Sequence, residues 1–207
     1  MNKLLRSIIS VSVLLIIAGT IAILRPWQYI SFLPVFNSGT ALTVNISQGK
    51  GEVFLDGTKV GETPFSSENL TSGDHELEIH RISAQTDFYS TISRQIHLEP
   101  NTRTFLEAEI GPDPQFSSYI LMYYTKNTNS SASLYINTLP KNTTISIDDQ
   151  SYGTAPVTAD SVTPGRHTLA ITHEGYESKD TVIIAREGYT LVVEVQLMAK
   201  PIEISTP

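Results

Sequence analysis

The chain has 207 residues, of which 40% are hydrophobic and 17% are charged, and it contains no cysteine. This length suits one ordinary domain or two small ones, and the composition is that of a folded protein. The absence of cysteine excludes disulfides, thiolate metal sites and a cysteine nucleophile. Residues 26–207 carry 11 basic and 21 acidic side chains, a net charge of −10. We therefore expect no nucleic-acid partner, because phosphate binding needs clustered Lys and Arg.

The amino-terminal part of the chain contains a long apolar run, Ser7 to Leu24, without a charged side chain. As a helix this run would span about 27 Å, close to the hydrocarbon layer of about 30 Å. Lys3 and Arg6 precede the run, which places the amino terminus in the cytoplasm by the positive-inside rule. We predict a transmembrane anchor in residues 1–30, a juxtamembrane linker in residues 31–40, and extracytoplasmic domains after them.

A cleaved signal peptide is the alternative interpretation of the same segment. Thr20-Ile21-Ala22 places small residues at a spacing suited to cleavage, although the apolar run continues past this point. Under both interpretations the rest of the chain leaves the cytoplasm. The absence of cysteine excludes a bacterial lipoprotein anchor.

Residues 41–80 align with residues 133–172 without a gap, at an offset of 92 positions. Ten of the forty aligned positions are identical, which indicates an internal duplication. We place one domain in residues 41–110 and a second in residues 133–198. The identical pairs are Leu42/Leu134, Asn45/Asn137, Asp56/Asp148, Gly61/Gly153, Pro64/Pro156, Thr71/Thr163, Gly73/Gly165, His75/His167, Leu77/Leu169 and Ile79/Ile171.

Both copies alternate apolar and polar residues with a period of two, as in "HELEI" and "LVVEVQL". This period is typical of strands with one buried face. Turns containing Gly, Pro, Asn or Asp interrupt the pattern roughly every 8 to 12 residues. The sequence therefore predicts an all-β protein with two tandem small β-sandwiches behind one transmembrane helix.

The stretch "DGTKVGETPF" predicts a hairpin turn and then a change of sheet. Asp56-Gly57 is favoured in tight turns with positive φ, and Asp149 is a poorer substitute for glycine in the second copy. Gly61 is expected to supply an open backbone angle, and Pro64 removes a donor so that the strand ends. The predicted structural turn positions are Asp56, Gly57, Gly61, Pro64, Gly73 and His75 in the first copy, and Asp148, Gly153, Pro156, Gly165 and His167 in the second.

A connector, residues 111–132, joins the two copies, and residues 199–207 form a tail. The ends of the connector are polar, but its centre reads "YILMYY". Two interpretations are open: an added strand or a plug between the copies, through which they dock, or an exposed contact surface for a partner. The residues concerned are Tyr119, Ile120, Leu121, Met122, Tyr123 and Tyr124.

The repeated pattern resembles the PEGA domain. In the first copy Val53-x-Leu55-Asp56-Gly57, Gly61-x-Thr63-Pro64 and Gly73-x-His75 carry the resemblance, and the second copy carries it at the positions aligned with these. The tetrapeptide after which the family is named is replaced by "QGKG" and "PKNT". The resemblance implies a short extracytoplasmic β-module of bacteria and archaea, often found in tandem behind a membrane anchor, with no catalytic residues to carry over.

The histidines and acids do not form a recognisable catalytic motif. His75 and His167 lie at the alternate positions of their predicted strands that also hold the inward-facing residues. This placement favours a structural histidine bonded to a turn carbonyl. His80 and His97 could share a metal if their strands were neighbours, but no carboxylate spacing supports such a site. No nucleophile elbow, dinucleotide fingerprint or Walker loop occurs.

We therefore expect a non-enzymatic protein, without a cofactor or a metal, that binds an envelope protein or polysaccharide. The candidate contact loops are residues 57–62 and 149–154, together with the apolar centre of the connector. The alternative is an accessory module or weak hydrolase acting on envelope glycans or peptides, which needs carboxylates that converge in a cleft.

Overall fold

The computed structural model describes residues 39–83, 88–128 and 130–201. The predicted transmembrane segment, Ser7 to Leu24, and most of the predicted linker lie outside these residues. Within them the structure contains no helix of the length and hydropathy needed to cross a membrane. The described chain is built from β-strands and one short 3₁₀ turn, Pro114–Phe116. The predicted all-β fold class is confirmed.

One seven-stranded sheet runs through both copies. Its spatial order is β12-β9-β15-β8-β7-β1-β4. The first copy contributes three strands at one side of the sheet, the second copy contributes three at the other side, and the connector supplies the central strand. These strands are β1 (Ala41–Ile46), β4 (Phe65–Ser67), β7 (Arg103–Glu109), β8 (Ser118–Lys126), β9 (Ala132–Leu139), β12 (Val157–Val162) and β15 (Tyr189–Gln196).

Each copy adds a small four-stranded sheet of its own. The order is β3-β2-β5-β6 in the first copy and β11-β10-β13-β14 in the second. The strands of the first small sheet are β2 (Gly51–Leu55), β3 (Thr58–Glu62), β5 (Gly73–Arg81) and β6 (Thr91–Leu98). The strands of the second small sheet are β10 (Thr144–Ile147), β11 (Gln150–Thr154), β13 (Gly165–Thr172) and β14 (Lys179–Ala185).

The central strand β8 is buried on both faces. Leu121 packs in the core formed with the first small sheet, together with Leu42, Leu77 and Ile96. Met122, the next residue, packs in the core formed with the second small sheet. Because successive side chains of a strand point to opposite faces, the two small sheets cover opposite faces of the shared sheet. A strand buried on both faces reads as a continuous apolar run, which explains "YILMYY".

The shared sheet is symmetric in topology about β8. Strands β7 and β15 flank β8, and both run antiparallel to it. Strands β1 and β9 follow, each parallel to its neighbour. A rotation by a half-turn about an axis along β8 therefore relates the topology of the two copies. This rotation keeps the strand directions and exchanges the two faces of the sheet. Equivalent hairpin turns then lie at the same end of the molecule.

The connector is the part of the fold for which the sequence left two interpretations open. The structure shows the added strand, through which the copies dock. Five of the six central residues, all except Tyr123, are at most 8% exposed. Their side chains pack in the two cores and are therefore not available as the exposed contact surface considered as the other interpretation.

Paired aspartate–histidine clamps and edge strands as the candidate site

The first copy contains a clamp between the β2–β3 turn and the start of β5. The Asp56 carboxylate lies 2.6 Å from Nδ1 of His75 through Oδ2, and its Oδ1 accepts the backbone N–H of Glu76 at 2.9 Å. The other ring nitrogen of His75, Nε2, lies 2.9 Å from the carbonyl oxygen of Thr71. One imidazole therefore joins the hairpin turn to the loop that precedes β5.

The second copy repeats these three contacts and adds a longer one, 3.4 Å between the Thr163 hydroxyl and Nε2 of His167. Asp148 Oδ2 lies 2.6 Å from His167 Nδ1, and Asp148 Oδ1 accepts the N–H of Thr168 at 2.8 Å. His167 Nε2 lies 2.7 Å from the carbonyl oxygen of Thr163. The prediction of a structural histidine bonded to a turn carbonyl is confirmed in both copies.

Sequence reasoning missed that the aspartate and the histidine bind each other. It placed each aspartate at a turn and each histidine against a turn carbonyl, but it did not pair them. No signal in the sequence marked this pair, because all ten identical positions keep constant separations in a duplication without gaps.

The backbone supports the clamp through positive φ angles at the turn. Asp56 has φ of 51° and Gly57 has φ of 73°, and the aligned Asp148 and Asp149 have φ of 49° and 62°. Two successive positive angles are the geometry of a type I′ hairpin turn. The predicted turn is confirmed, and Asp149 occupies a conformation that favours glycine.

The glycines of the following motif have different roles in the two copies. Gly153 has φ of 96°, as expected for a glycine that opens the backbone. Gly61 lies outside the positive-φ region, so the open angle expected there is wrong. A Cβ at Gly61 would lie 2.7 Å from the ring of Phe65, and close packing is the reason for glycine at this position.

The prolines of the motif lie where the chain changes sheet. Pro64 stands between β3, in the first small sheet, and β4, in the shared sheet. Pro156 has the same place between β11 and β12. The predicted end of the hairpin and the crossing to the next sheet are confirmed.

Hydrogen bonding shifts the pKa of each partner in the first clamp. The bond to His75, followed by the bond from the Glu76 N–H, lowers the pKa of Asp56 below its ordinary 3.8. The bond to Asp56 raises the pKa of His75 above 6.5; burial opposes this, and the Thr71 carbonyl supports it. Both shifts favour an ion pair of carboxylate and imidazolium.

In the second clamp the pKa of the histidine has a different largest influence. Burial has the largest influence on the pKa of His167 and lowers it, but the bonds to Asp148 and to the Thr163 carbonyl together raise it above 6.5. The bond to His167, with the N–H of Thr168, lowers the pKa of Asp148. The side chain of His167 is 9% exposed, against 12% for His75.

The two other histidines of the first small sheet do not come together. Strands β5 and β6 are neighbours, as a shared metal would require, but His97 is paired with Asp74 and His80 with Thr91. These pairs lie at opposite ends of the ladder. His97 binds Asp74 at 2.6 Å, and His80 binds Glu78 at 2.9 Å. Within the described ranges no group of three His, Cys, Asp or Glu side chains is placed to hold a metal.

The candidate contact loops form the outermost strands of the two small sheets. Residues 57–62 correspond to β3, and residues 149–154 correspond to β11. Val60 is 38% exposed and Tyr152, the residue aligned with it, is 37% exposed. The described sheets end at β3 and β11, so each copy presents an edge strand at the same place.

Two surface depressions formed by described residues contain acidic side chains. One has a volume of about 270 Å³, lies beside the second clamp, and has Asp148 as its acidic residue. The other has a volume of about 230 Å³ and contains Glu109 and Glu177. Glu109, at the end of β7, accepts hydrogen bonds from Ser47 and Gln48, which lie in the loop after β1. In the depression beside the second clamp the Thr163 hydroxyl lies 3.4 Å from Nε2 of His167, and the same nitrogen faces the Thr163 carbonyl oxygen at 2.7 Å.

A comparison with protein-family models gives two matches, both to the PEGA domain. The matches cover residues 40–113 and 131–201. They contain both clamps and both edge strands, and they leave out most of the connector. No curated protein sequence matches the chain.

Proposed function

Since the chain belongs to the PEGA domain family, we propose that it is a non-catalytic, membrane-anchored, extracytoplasmic protein whose two β-modules bind a protein partner at the cell envelope. The apolar run Ser7 to Leu24 supports the anchor. The net charge of −10 on residues 26–207 suits a soluble domain beside the membrane rather than a lipid-binding surface.

The repeated exposed edge strand is the observation that carries the binding proposal. Every residue of β11 is exposed, and so are four of the five residues of β3. An edge strand presents unpaired N–H and C=O groups to which an extended peptide can add as a further strand. This chemistry favours a protein partner over a polysaccharide partner.

The symmetry of the shared sheet adds a second argument. The half-turn about β8 places the β2–β3 and β10–β11 hairpins at one end of the molecule, on opposite faces. A partner with two binding segments could engage both edge strands, and the second contact would then form at a high effective concentration. Each module alone would bind more weakly than the pair.

Photo-crosslinking tests the edge strands. A photoreactive phenylalanine analogue would be placed at Val60 or Tyr152, with Tyr135 on β9 as the matched control at 38% exposure. We expect one envelope protein to crosslink from both edge positions and not from Tyr135. Equal crosslinking from all three positions would contradict binding through the edges.

Fractionation of the native protein tests the anchor. We expect the intact Met1 end in washed membranes, and a carboxy terminus that external protease removes from whole cells. A mature end near Ile23 in the soluble exported fraction would replace the anchor with a cleaved signal peptide. Retention of the carboxy terminus inside the cytoplasm would contradict the proposed location.

A further inference from the structure

We propose that the two aspartate–histidine clamps are pH-sensitive latches, which hold the loop before β5 and the loop before β13 against the hairpin turns while the imidazole is doubly protonated and release these loops as the pH rises. The latch is a property of the fold and does not rest on the proposed binding function. The residues of the first latch are Asp56, His75 and Thr71, and those of the second are Asp148, His167 and Thr163.

The geometry requires two donors on the ring of His75, and the same two kinds of acceptor face His167, whose Nε2 also lies 3.4 Å from the Thr163 hydroxyl. Nδ1 of His75 faces a carboxylate oxygen at 2.6 Å, and Nε2 faces a carbonyl oxygen at 2.9 Å. The ionised carboxylate and the carbonyl only accept hydrogen bonds, so both ring nitrogens must carry a proton. A neutral imidazole has one proton and would place a lone pair against one of the two acceptors.

Loss of one proton therefore breaks one of the two contacts. The charged carboxylate is the stronger acceptor and keeps the remaining N–H of the ring. The carbonyl of Thr71, or of Thr163 in the second copy, then loses its donor. The hairpin turn keeps its aspartate–histidine contact, whereas the preceding loop is no longer tied to the ring.

The charged surroundings of the two latches differ. Asp56, on the β2–β3 turn, and Asp74, on β5, both act on His75 in favour of its charged form. Asp74 is itself paired with His97 of β6 at 2.6 Å. In the second copy Asp148, on the β10–β11 turn, is the acid that acts on His167.

The two histidines also differ in the largest influence on their pKa. His167 has one assisting carboxylate, and burial is the largest influence on it, in favour of the neutral form. His75 has two assisting carboxylates, and the bond to Asp56 is its largest influence. Both pKa values are raised above 6.5, so both latches are expected to be closed below about pH 6.5 and to open above it.

Nuclear magnetic resonance on the full chain in detergent micelles tests the latch directly. The ¹⁵N resonances of the four imidazole nitrogens and the carbonyl ¹³C resonances of Thr71 and Thr163 would be followed from pH 5 to pH 10. We expect both nitrogens of each ring to be protonated at pH 5. Each carbonyl resonance should then shift with the midpoint of its own histidine.

Two results would overturn the proposal. One is a neutral ring at pH 5, with one unprotonated nitrogen in His75 and His167. The other is a pair of carbonyl resonances that do not move while the rings titrate.

The variants His75→Gln and His167→Gln provide matched controls, because glutamine does not titrate in this range. In His75→Gln the titration of the Thr71 carbonyl should disappear while that of Thr163 persists, and His167→Gln should show the reverse. Titration of both carbonyls in both variants would contradict the latch. The wild-type titration decides the question if a variant does not fold.

Discussion

The two copies agree in their cores and in the backbone geometry of the β2–β3 and β10–β11 turns, and they differ on the outer faces of their small sheets. The outward positions of β5 in the first copy are Asp74, Glu76, Glu78 and His80, whereas those of β13 in the second copy are Arg166, Thr168, Ala170 and Thr172. The inward positions Leu77 and Leu169 are identical and fully buried. Packing and turn geometry restrict the inward and turn positions, and the outward positions are free to diverge.

The clamp residues belong to the positions that are the same in both copies. Both copies keep the aspartate, the histidine and the threonine whose carbonyl oxygen completes the contact. The aspartates are exposed and could have diverged as the outward positions of β5 and β13 did. Their retention in both copies follows from the bonds that each one makes to a ring nitrogen and to a backbone N–H.

The largest expected effect on stability comes from substitutions in β8, the strand that the two copies share. Leu121→Ala removes a side chain from the first core, and Met122→Ala removes one from the second. Each substitution should lower the free energy of unfolding by about 2–5 kcal/mol, because a large buried side chain leaves a cavity. Urea denaturation measures the change, and Val60→Ala on the exposed edge strand is the control.

The same two variants test whether the copies unfold together. Since β7 and β15 both pair with β8, each variant should reduce the hydrogen-exchange protection of both β5 and β13. Loss of protection confined to the copy that the substituted side chain faces would contradict a shared cooperative sheet.

The next effect is the pH dependence of stability. Raised histidine pKa values stabilise the fold below about 6.5, and this contribution is lost as the pH rises through the folded-state pKa values. Lowered aspartate pKa values stabilise the fold above about 3.8, and this contribution is lost as the pH falls through the folded-state values. The urea midpoint should therefore be highest between about pH 4 and 6.5.

The double variant His75→Gln, His167→Gln is the control for this profile. It should lose much of the decline above pH 6.5, because the groups responsible no longer titrate. An unchanged alkaline decline in the double variant would assign the effect to other groups.

A smaller effect comes from exchanging the turn residues of the two copies. Asp149→Gly should stabilise the protein by about 1 kcal/mol, because Asp149 holds φ of 62° and glycine adopts that angle without strain. Gly57→Asp, at φ of 73° with open space around its Cβ position, should destabilise it by a similar amount. Thermal unfolding measures both, and changes of the same sign would contradict the strain argument.

The smallest effect is expected at Lys59 on the first edge strand. Lys59 contacts Glu52 at 2.6 Å and Glu62 at 3.3 Å, and the aligned residue in the second copy is Ser151. Lys59→Ser makes the two edge strands more alike. Exposed ion pairs contribute little to stability, so the melting temperature should not change measurably. A clear decrease would show that the edge strand depends on this pair.

Much of the fold was predictable from local pattern. The duplication follows from aligning the chain with itself. The strand period and the turn at Asp56-Gly57 follow from spacing along the chain, because each reflects a local geometric requirement. The role of Gly61 was not predictable in this way, because the ring of Phe65 that excludes a side chain there reaches it only in the folded chain. The contact between Asp56 and His75 was missed for the same reason, because the β2–β3 turn and the start of β5 meet only in the folded chain.

The sequence by itself determined that the described chain is all-β, that it is duplicated, and where its turns lie, because alternation and turn chemistry act over a few residues. Only the tertiary structure decided that the copies share one sheet and occupy its opposite faces. The apolar run at Tyr119 to Tyr124 was compatible with a buried strand and with an exposed patch, and pairing with β7 and β15 chose between them. Such pairing depends on contacts between residues as far apart as Ile120 and Val195, which no local pattern records.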